Sequence, residues 1–318
     1  MKVALYLLVL ISISLVALWA IAKWNETQAE TTTPPSGRFV ETANTKLHLK
    51  IEGSGPPIVL IHGASGNFQD LTFLLAPALR ERFTVISIDR PGLGYSPSFS
   101  RDGETLSEQA NVISAVLQEL GIEHVYVLGQ SYGGSVALRL ALDHPDLVVG
   151  LALVAAPSNT WGTPLGRLYS LTSGKWTGPL MRLLIASVTP KSVVDASLAG
   201  VFEPQEVPDG YAKHIGVNLT LRRSQQRANA LQVAALKPQI EEMVPLYDKI
   251  SIPVEAIHGT ADTIVPLHVH TEILAKQISD ITVTILEGVG HMPHQTHTDE
   301  VLAIVDRLHA KVGLKPAK

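Results

Sequence analysis

The chain has 318 residues, 46% of them hydrophobic and 17% charged, with a formal net charge of −4. That length and apolar content can support one large buried core, and the lack of a basic stripe argues against nucleic acid as a partner. There is no cysteine, which excludes disulfides, thiolate zinc sites and a cysteine nucleophile.

Val3 to Ala22 is an uncharged run, VALYLLVLISISLVALWAIA. At about 1.5 Å per helical residue it would span about 30 Å, the thickness of a bilayer's hydrocarbon core. Trp19 and Trp24 fall where interfacial aromatics sit. Residues 1–22 are therefore expected to be a membrane anchor or a signal peptide cleaved after Ala20-Ile21-Ala22. The run is longer than the roughly 7–15 residues of a signal h-region, which favours the anchor. Lys2 and Lys23 oppose each other across it, so charge does not orient it. Residues 23–37 are polar, aperiodic and carry Pro34-Pro35, and read as a linker.

Arg38 to Glu52 alternates like a hairpin turning near Ala43-Asn44. Strands and helices then alternate. PIVLIHG (57–63), TVISID (84–89), VYVLG (125–129) and VVGLALVAA (148–156) are strands, with helices expected over 67–82, after Thr105 and over 132–143. Thr105-x-x-Glu108 is a capping box. Beyond Pro157 the alternation stops, and 158–248 shows helical patches (180–187, 211–236) without a clear strand. It resumes with a strand at 254–259, a helix from Pro266 to Ile278, a strand at 281–288 and a helix from Thr296 to Val312. Apolar strands alternating with helices imply a mostly parallel sheet covered on both faces. The expected organisation is a core of 38–157 and 249–318 interrupted by a helical cap, 158–248.

The junction Gly129-Gln130-Ser131-Tyr132-Gly133-Gly134 joins a strand to a helix with almost no loop. So tight a turn holds its serine in a strained backbone conformation and demands small neighbours, as in the G-x-S-x-G elbow. A serine hydroxyl needs a base, and the base a carboxylate, at later strand ends. Asp262 and His291 stand there, each just past a strand.

With the motifs HGASG (62–66), DRPGLGYS (89–96), GQSYGG (129–134), GTADTIVP (259–266) and GVGHMPH (288–294), the chain resembles the α/β-hydrolase superfamily over about residues 38 to 315. The resemblance implies Ser131 as nucleophile, Asp262 as acid and His291 as base. It implies an oxyanion hole at the backbone N–H groups of Ala64 and Tyr132, and a cap that selects substrates. It implies no metal or organic cofactor. The expected partners are a small-molecule ester or amide and the membrane, through the N-terminal helix. Carboxylic esters come first, with amides and the carbon–carbon bonds of diketones open to the same triad. A non-catalytic receptor on this scaffold is the reading from another class.

Other residues invite rival roles. His291, His294 and His297, with His268 and His270, form a histidine cluster, but their spacing is not that of a helical zinc pair. His62 is expected to support its loop, and Asp89 to serve an ion pair with Arg90 or a turn cap. Arg222, Arg223 and Arg227 read as a solvated helix face or, less simply, as an anion site. Asn25 and Asn218 head glycosylation-type triplets.

Overall fold

The computed structural model describes residues 1–43 and 45–315; the expected turn at Ala43-Asn44 falls partly outside them. Among the described residues eight strands make one sheet: β1 (Arg38–Glu41), β2 (Lys46–Glu52), β3 (Pro57–Ile61), β4 (Thr84–Ile88), β5 (Val125–Gln130), β6 (Val148–Val154), β7 (Val254–Gly259) and β8 (Ile281–Leu286). Their order is β1-β2-β4-β3-β5-β6-β7-β8. β2 pairs antiparallel with β1 and β4, and every other pairing is parallel.

Helices α1 (Lys2–Thr32), α2 (Gln69–Thr72), α3 (Leu75–Leu79), α4 (Leu106–Glu119) and α5 (Tyr132–Asp143) precede the insertion. The insertion between β6 and β7 carries α6 (Arg167–Ser173), α7 (Gly178–Val188), α8 (Lys191–Phe202), α9 (Tyr211–His214) and α10 (Arg223–Met243). α11 (Thr271–Leu274), α12 (Pro293–Thr296) and α13 (Thr298–Val312) complete the core. The Thr105 side chain caps α4, with Glu108 reaching back to the Thr105 N–H.

The alternation of strand side chains builds two cores. Val59, Ile61, Val125 and Val127 face α4 and α5, while Ile58, Leu60, Tyr126 and Leu128 pack with α3 and α13. Each such aliphatic side chain, fully buried, contributes about 1.5–3 kcal/mol. Because both faces are covered, β3 and β5 are buried along their whole length.

Four expected elements differ. The helix over 67–82 is two short pieces, because Pro77 has no N–H and its ring clashes with the carbonyl one turn back. Of 266–278 only α11 is helical; His270 leaves the helical region (φ −112°, ψ −80°) and its ring nitrogen is held by the Ser158 and Asn159 N–H groups. His297 (φ −138°) separates α12 from α13. The expected linker 23–37 is helical as far as Thr32. Its threonines return hydroxyl hydrogen bonds to the preceding turn, Ala29 is buried, and the helix stops just before Pro34-Pro35, where the α conformation is disfavoured.

α5 begins directly over the end of β3. A Cβ on Gly133 would collide with the Ile61 carbonyl oxygen and lie 2.7 Å from that of His62. Gly133→Ala is expected to lower the thermal midpoint by several degrees, overpacking costing about 1–3 kcal/mol. Gly200→Ala, on a helix with open space around it, is expected to leave the midpoint unchanged or raise it. Equal midpoints for the two variants would refute the close approach.

Candidate active site

Ser131 joins β5 to α5 with φ 48° and ψ −126°. A non-glycine residue there costs on the order of 1–3 kcal/mol. The strain is held by backbone bonds: the Ser131 N–H donates to Val154 O (2.8 Å), and the Gly134 N–H donates to Ser131 O (2.7 Å). A Cβ on Gly129 would strike the Gly133 backbone. The turn thus pushes a half-buried serine beyond the carboxyl edge of the sheet, where open α/β sheets bind ligands.

Asp262 follows β7 and His291 follows β8, and both reach the same edge. His291 Nε2 lies 2.9 Å from Ser131 Oγ, and His291 Nδ1 lies 2.7 Å from Asp262 Oδ2. With Nδ1–H donating to the carboxylate, the Nε2 lone pair faces the serine hydroxyl. Asp262 Oδ1 accepts the Ile264 and Val265 N–H groups at 2.9 and 2.8 Å. Burial works to raise the Asp262 pKa, but hydrogen bonds from His258 and His291, the charge of His291 and the Val265 N–H outweigh it and hold it well below the carboxylate range.

His258 was not foreseen. Its Nε2 sits 3.1 Å from Asp262 Oδ2 and 2.7 Å from Val265 O, and its Nδ1 2.7 Å from Thr271 Oγ1. Two acceptors on Nε2 place the proton there, so His258 braces the carboxylate from the side opposite His291. The available sign was a polar ring near the end of an otherwise apolar strand, VEAIHG.

Tyr132 is the first residue of α5, so its N–H has no acceptor within the helix. Ala64 lies in the loop after β3 and lines the same cavity as Ser131 and His291. That loop is fastened from two directions. His62 Nδ1 bonds to Gly63 O (2.8 Å), and Asn229 of α10 accepts the Ser65 N–H (2.7 Å) and donates to Ser65 Oγ (2.8 Å). Ser65 itself has φ 56°.

Asp89 and Arg90 do not pair with each other. Asp89 accepts the Phe68 and Tyr95 N–H groups (2.7 and 2.8 Å) and faces His48 Nδ1 (2.7 Å). Arg90 is fully buried. Its guanidinium donates to the carbonyls of His62 and Gly63 (both 3.0 Å) and to Oε1 of Gln109 and Gln232 (2.9 and 2.8 Å). It also stacks 4.2 Å from the Tyr132 ring centroid. Burial lowers its pKa to about 10, opposed by the charges of Tyr132 and Glu104, so it stays charged at neutral pH. Glu104 reaches it through Gln232, whose Nε2 donates to Glu104 Oε2 (2.8 Å).

The other histidines separate. His294 Nε2 bonds to Asp70 Oδ1 (3.0 Å) and His297 Nδ1 to Thr296 Oγ1 (3.0 Å). His270 Nδ1 accepts two backbone N–H groups at 3.2 Å, and burial pushes its pKa down to about 4. Asp70 also accepts from the Tyr211 hydroxyl (2.6 Å) and Gln295 Nε2 (3.0 Å), tying the insertion to the segment just after His291. Arg222, Arg223 and Arg227 are not gathered as an anion site, and of the three only Arg222 is buried. Arg223 binds Glu26 through Nε and Nη2 (2.7 and 3.0 Å), Arg222 binds Glu30 (3.1 Å), and Arg227 donates to the Arg101 carbonyl. Asn25 donates to the carbonyls of Ala186 and Ser187, while Asn218 is exposed.

A cavity of about 510 Å³ opens onto Ser131 and His291. Its floor is Gly63 to Asn67, and its walls are largely insertion side chains such as Ile185, Val194, Leu198 and Val201. Residues 56–298 match the family model for the alpha/beta hydrolase fold. The chain is an α/β-hydrolase. An uncharacterised protein of Mycobacterium tuberculosis is 31% identical over 287 residues, covering 86% of this chain and 81% of its own. Among solved structures, a thermophilic esterase from Thermogutta terrifontis superposes with a TM-score of 0.70 at 20% identity, covering 87% of this hydrolase and 100% of the esterase. A membrane phospholipase A described as a bacterial virulence factor gives a TM-score of 0.67 at 21% identity, covering 97% and 99%.

Two expectations follow for the hydrolase. Arg90→Met is expected to cost at least about 2 kcal/mol in urea unfolding, because it takes the guanidinium from His62 O and from Oε1 of Gln109 and Gln232, while Gly63 O keeps only its bond to His62, and a buried acceptor left unpaired costs about 1–3 kcal/mol. Arg90→Lys is expected to recover little, since a point charge cannot serve the planar array; full recovery by lysine would show that only charge matters. Burial tends to raise Asp70, but His294, Tyr211 and Gln295 prevail and hold it at about 2, against 3.8 when unperturbed. A depressed folded pKa means stability present above about pH 4 that disappears as pH falls toward 2. Between pH 6 and pH 3 the thermal midpoint of the native chain should therefore drop further than that of Asp70→Asn; parallel curves would remove the role of Asp70.

Proposed function

We propose that this hydrolase is a membrane-anchored serine esterase that works through an acyl-enzyme. The observation that carries the reading is the continuous path from Ser131 Oγ to His291 Nε2 (2.9 Å) and from His291 Nδ1 to Asp262 Oδ2 (2.7 Å).

In this reading Ser131 Oγ attacks the ester carbonyl carbon as its proton passes to His291 Nε2, and the imidazolium is stabilised by the ionised Asp262. The carbonyl oxygen becomes an oxyanion facing the Ala64 and Tyr132 N–H groups, the latter at a helix N-terminus where the dipole favours negative charge. Collapse breaks the ester C–O bond, and the departing alkoxide takes the proton from His291. Water, deprotonated by His291, then attacks the acyl carbon, and the proton returns to Ser131 as the acid leaves. Serine at the elbow supports acyl transfer over the alkyl-enzyme chemistry that aspartate nucleophiles perform on this scaffold. The apolar walls and the volume of about 510 Å³ support a small or medium apolar ester.

The retained anchor is supported by α1 itself. The helix runs unbroken past Ala20-Ile21-Ala22. Body contacts lie on both sides of that point: Trp19 sits 5.8 Å from the Arg223 guanidinium, and Ala22 is wholly buried.

A fluorophosphonate probe is expected to label Ser131 in the folded protein and to leave Ser131→Ala unlabelled. Asp262→Asn should cut kcat by about 10³–10⁴ with little change in KM, because the imidazole then holds the wrong tautomer. Near-normal turnover in that variant would mean another carboxylate serves His291, and no labelling of folded protein would favour a receptor.

A further inference from the structure

The polar half of α1 is clamped to the cap. Asn25 Nδ2 donates to the carbonyls of Ala186 (2.9 Å) and Ser187 (3.2 Å), two of the carbonyls that the last turn of α7 leaves unpaired. Glu26 and Glu30 bind Arg223 and Arg222 at the start of α10, and Ala22 and Ala29 are buried against the body. N-terminal to Leu18 the apolar half is exposed. Its most hydrophobic 18-residue window has mean hydropathy 2.6 and is 0% buried. A single unbroken helix therefore runs from the C-terminal end of α7 straight into a stretch that water does not favour.

That same end of α7 frames the cavity. Ile185 and Thr189 line it, with Val193 and Val194 at the start of α8. The outer surface around this rim is apolar: Trp176 is 86% exposed, Leu168 57%, Val188 56%, Val193 51% and Leu180 48%. Leu168 and Val193 belong to both sets, lining the cavity and facing outward. Lys175 lies 5.7 Å from the Trp176 ring, a cation beside an indole as at membrane interfaces. Exposed apolar side chains so concentrated on α6 to α8 and the turn between α6 and α7 mark an interaction surface. Its occupant is set by continuity, since α7, which carries Leu180 and Val188, is the helix that α1 packs against.

We infer that the outer face of α6–α8 rests in the surface of the bilayer that α1 enters, and that the cavity takes its ester from the lipid phase. The substrate class is a membrane-dissolved ester with a long acyl chain, which would pass between Leu168 and Val193 without crossing water. The inference rests on the proposed function above, with Ser131 as nucleophile and α1 as a retained anchor.

The full chain, reconstituted in phosphatidylcholine vesicles, provides the test with two esters. One is water-soluble p-nitrophenyl butyrate. The other is 4-methylumbelliferyl palmitate dissolved in the vesicle membrane. The variant Leu180→Glu/Val188→Glu replaces two exposed side chains that do not line the cavity. It should lose at least tenfold of the activity on the palmitate ester while keeping butyrate hydrolysis within twofold. Parallel rates on both esters in native and variant protein would overturn the lipid-phase route and leave the esterase reading standing. Inactivity of the folded native chain on both esters would sink the esterase reading, and this inference with it.

Discussion

The site depends on an approach between α5 and β3 so close that no side chain fits between them. Gly133 meets the backbone of Ile61 and His62, and Gly129 meets Gly133. The loop after β3 shares the constraint: a Cβ on Gly63 would collide with the Gln130 side chain and come within 3.1 Å of the Ser131 Cβ. Three glycines therefore interlock the strained serine with the loop that carries Ala64. Shifting α5 outward by the width of a methyl group would separate Ser131 and the Tyr132 N–H from the Ala64 N–H together. Preorganised donors are effective because they need no rearrangement as charge develops, and here the preorganisation is steric before it is electrostatic.

Arg90 supplies the electrostatic counterpart. A fully buried cation is costly unless each donor is satisfied. This one holds the carbonyls of His62 and Gly63 and stacks on the Tyr132 ring, with Gln109 of α4 and Gln232 of α10 as further acceptors. It reaches both halves of the proposed oxyanion site from behind. Two carbonyls of one loop turned toward a guanidinium fix the peptide planes of that loop, and hence the direction of the N–H groups on the far side. Gln232 passes the charge on to Glu104, so the cation is balanced across one amide instead of by direct contact.

Which parts were legible in the sequence follows from which contacts are local. The strands were visible because burial on both faces leaves an apolar run, and the Ser131, Asp262 and His291 positions because each stands immediately beyond such a run. The close glycines around Ser131 were legible for the same reason. What escaped notice depends on distant partners. His258 looks like a strand residue until Asp262 folds back beside it. Residues 23–32 are too polar to announce a helix, and their order comes from Arg222, Arg223 and the end of α7, more than 150 positions away. Arg90 stands next to Asp89 in sequence, whereas its acceptors come from the loop after β3, α4 and α10.

The cap helix α10 shows why polarity misleads. Arg222, Gln225, Asn229 and Gln232 follow one another at intervals of three or four, so they share one face, and a polar stripe ordinarily marks the solvent side. Here all four are buried. Arg222 binds Glu30 of α1, Gln225 donates to Gly66 O (3.3 Å), Asn229 holds Ser65, and Gln232 holds Arg90. Hydrogen bonds are directional where apolar contacts are not, so this face fixes the register of the insertion over the loop that carries Ala64. The same ladder begins at α1 and ends at the guanidinium behind the loop that carries Ala64. The orientation of α1 is thereby coupled to the loop through a single helix, and α1 is part of the scaffold that shapes the site.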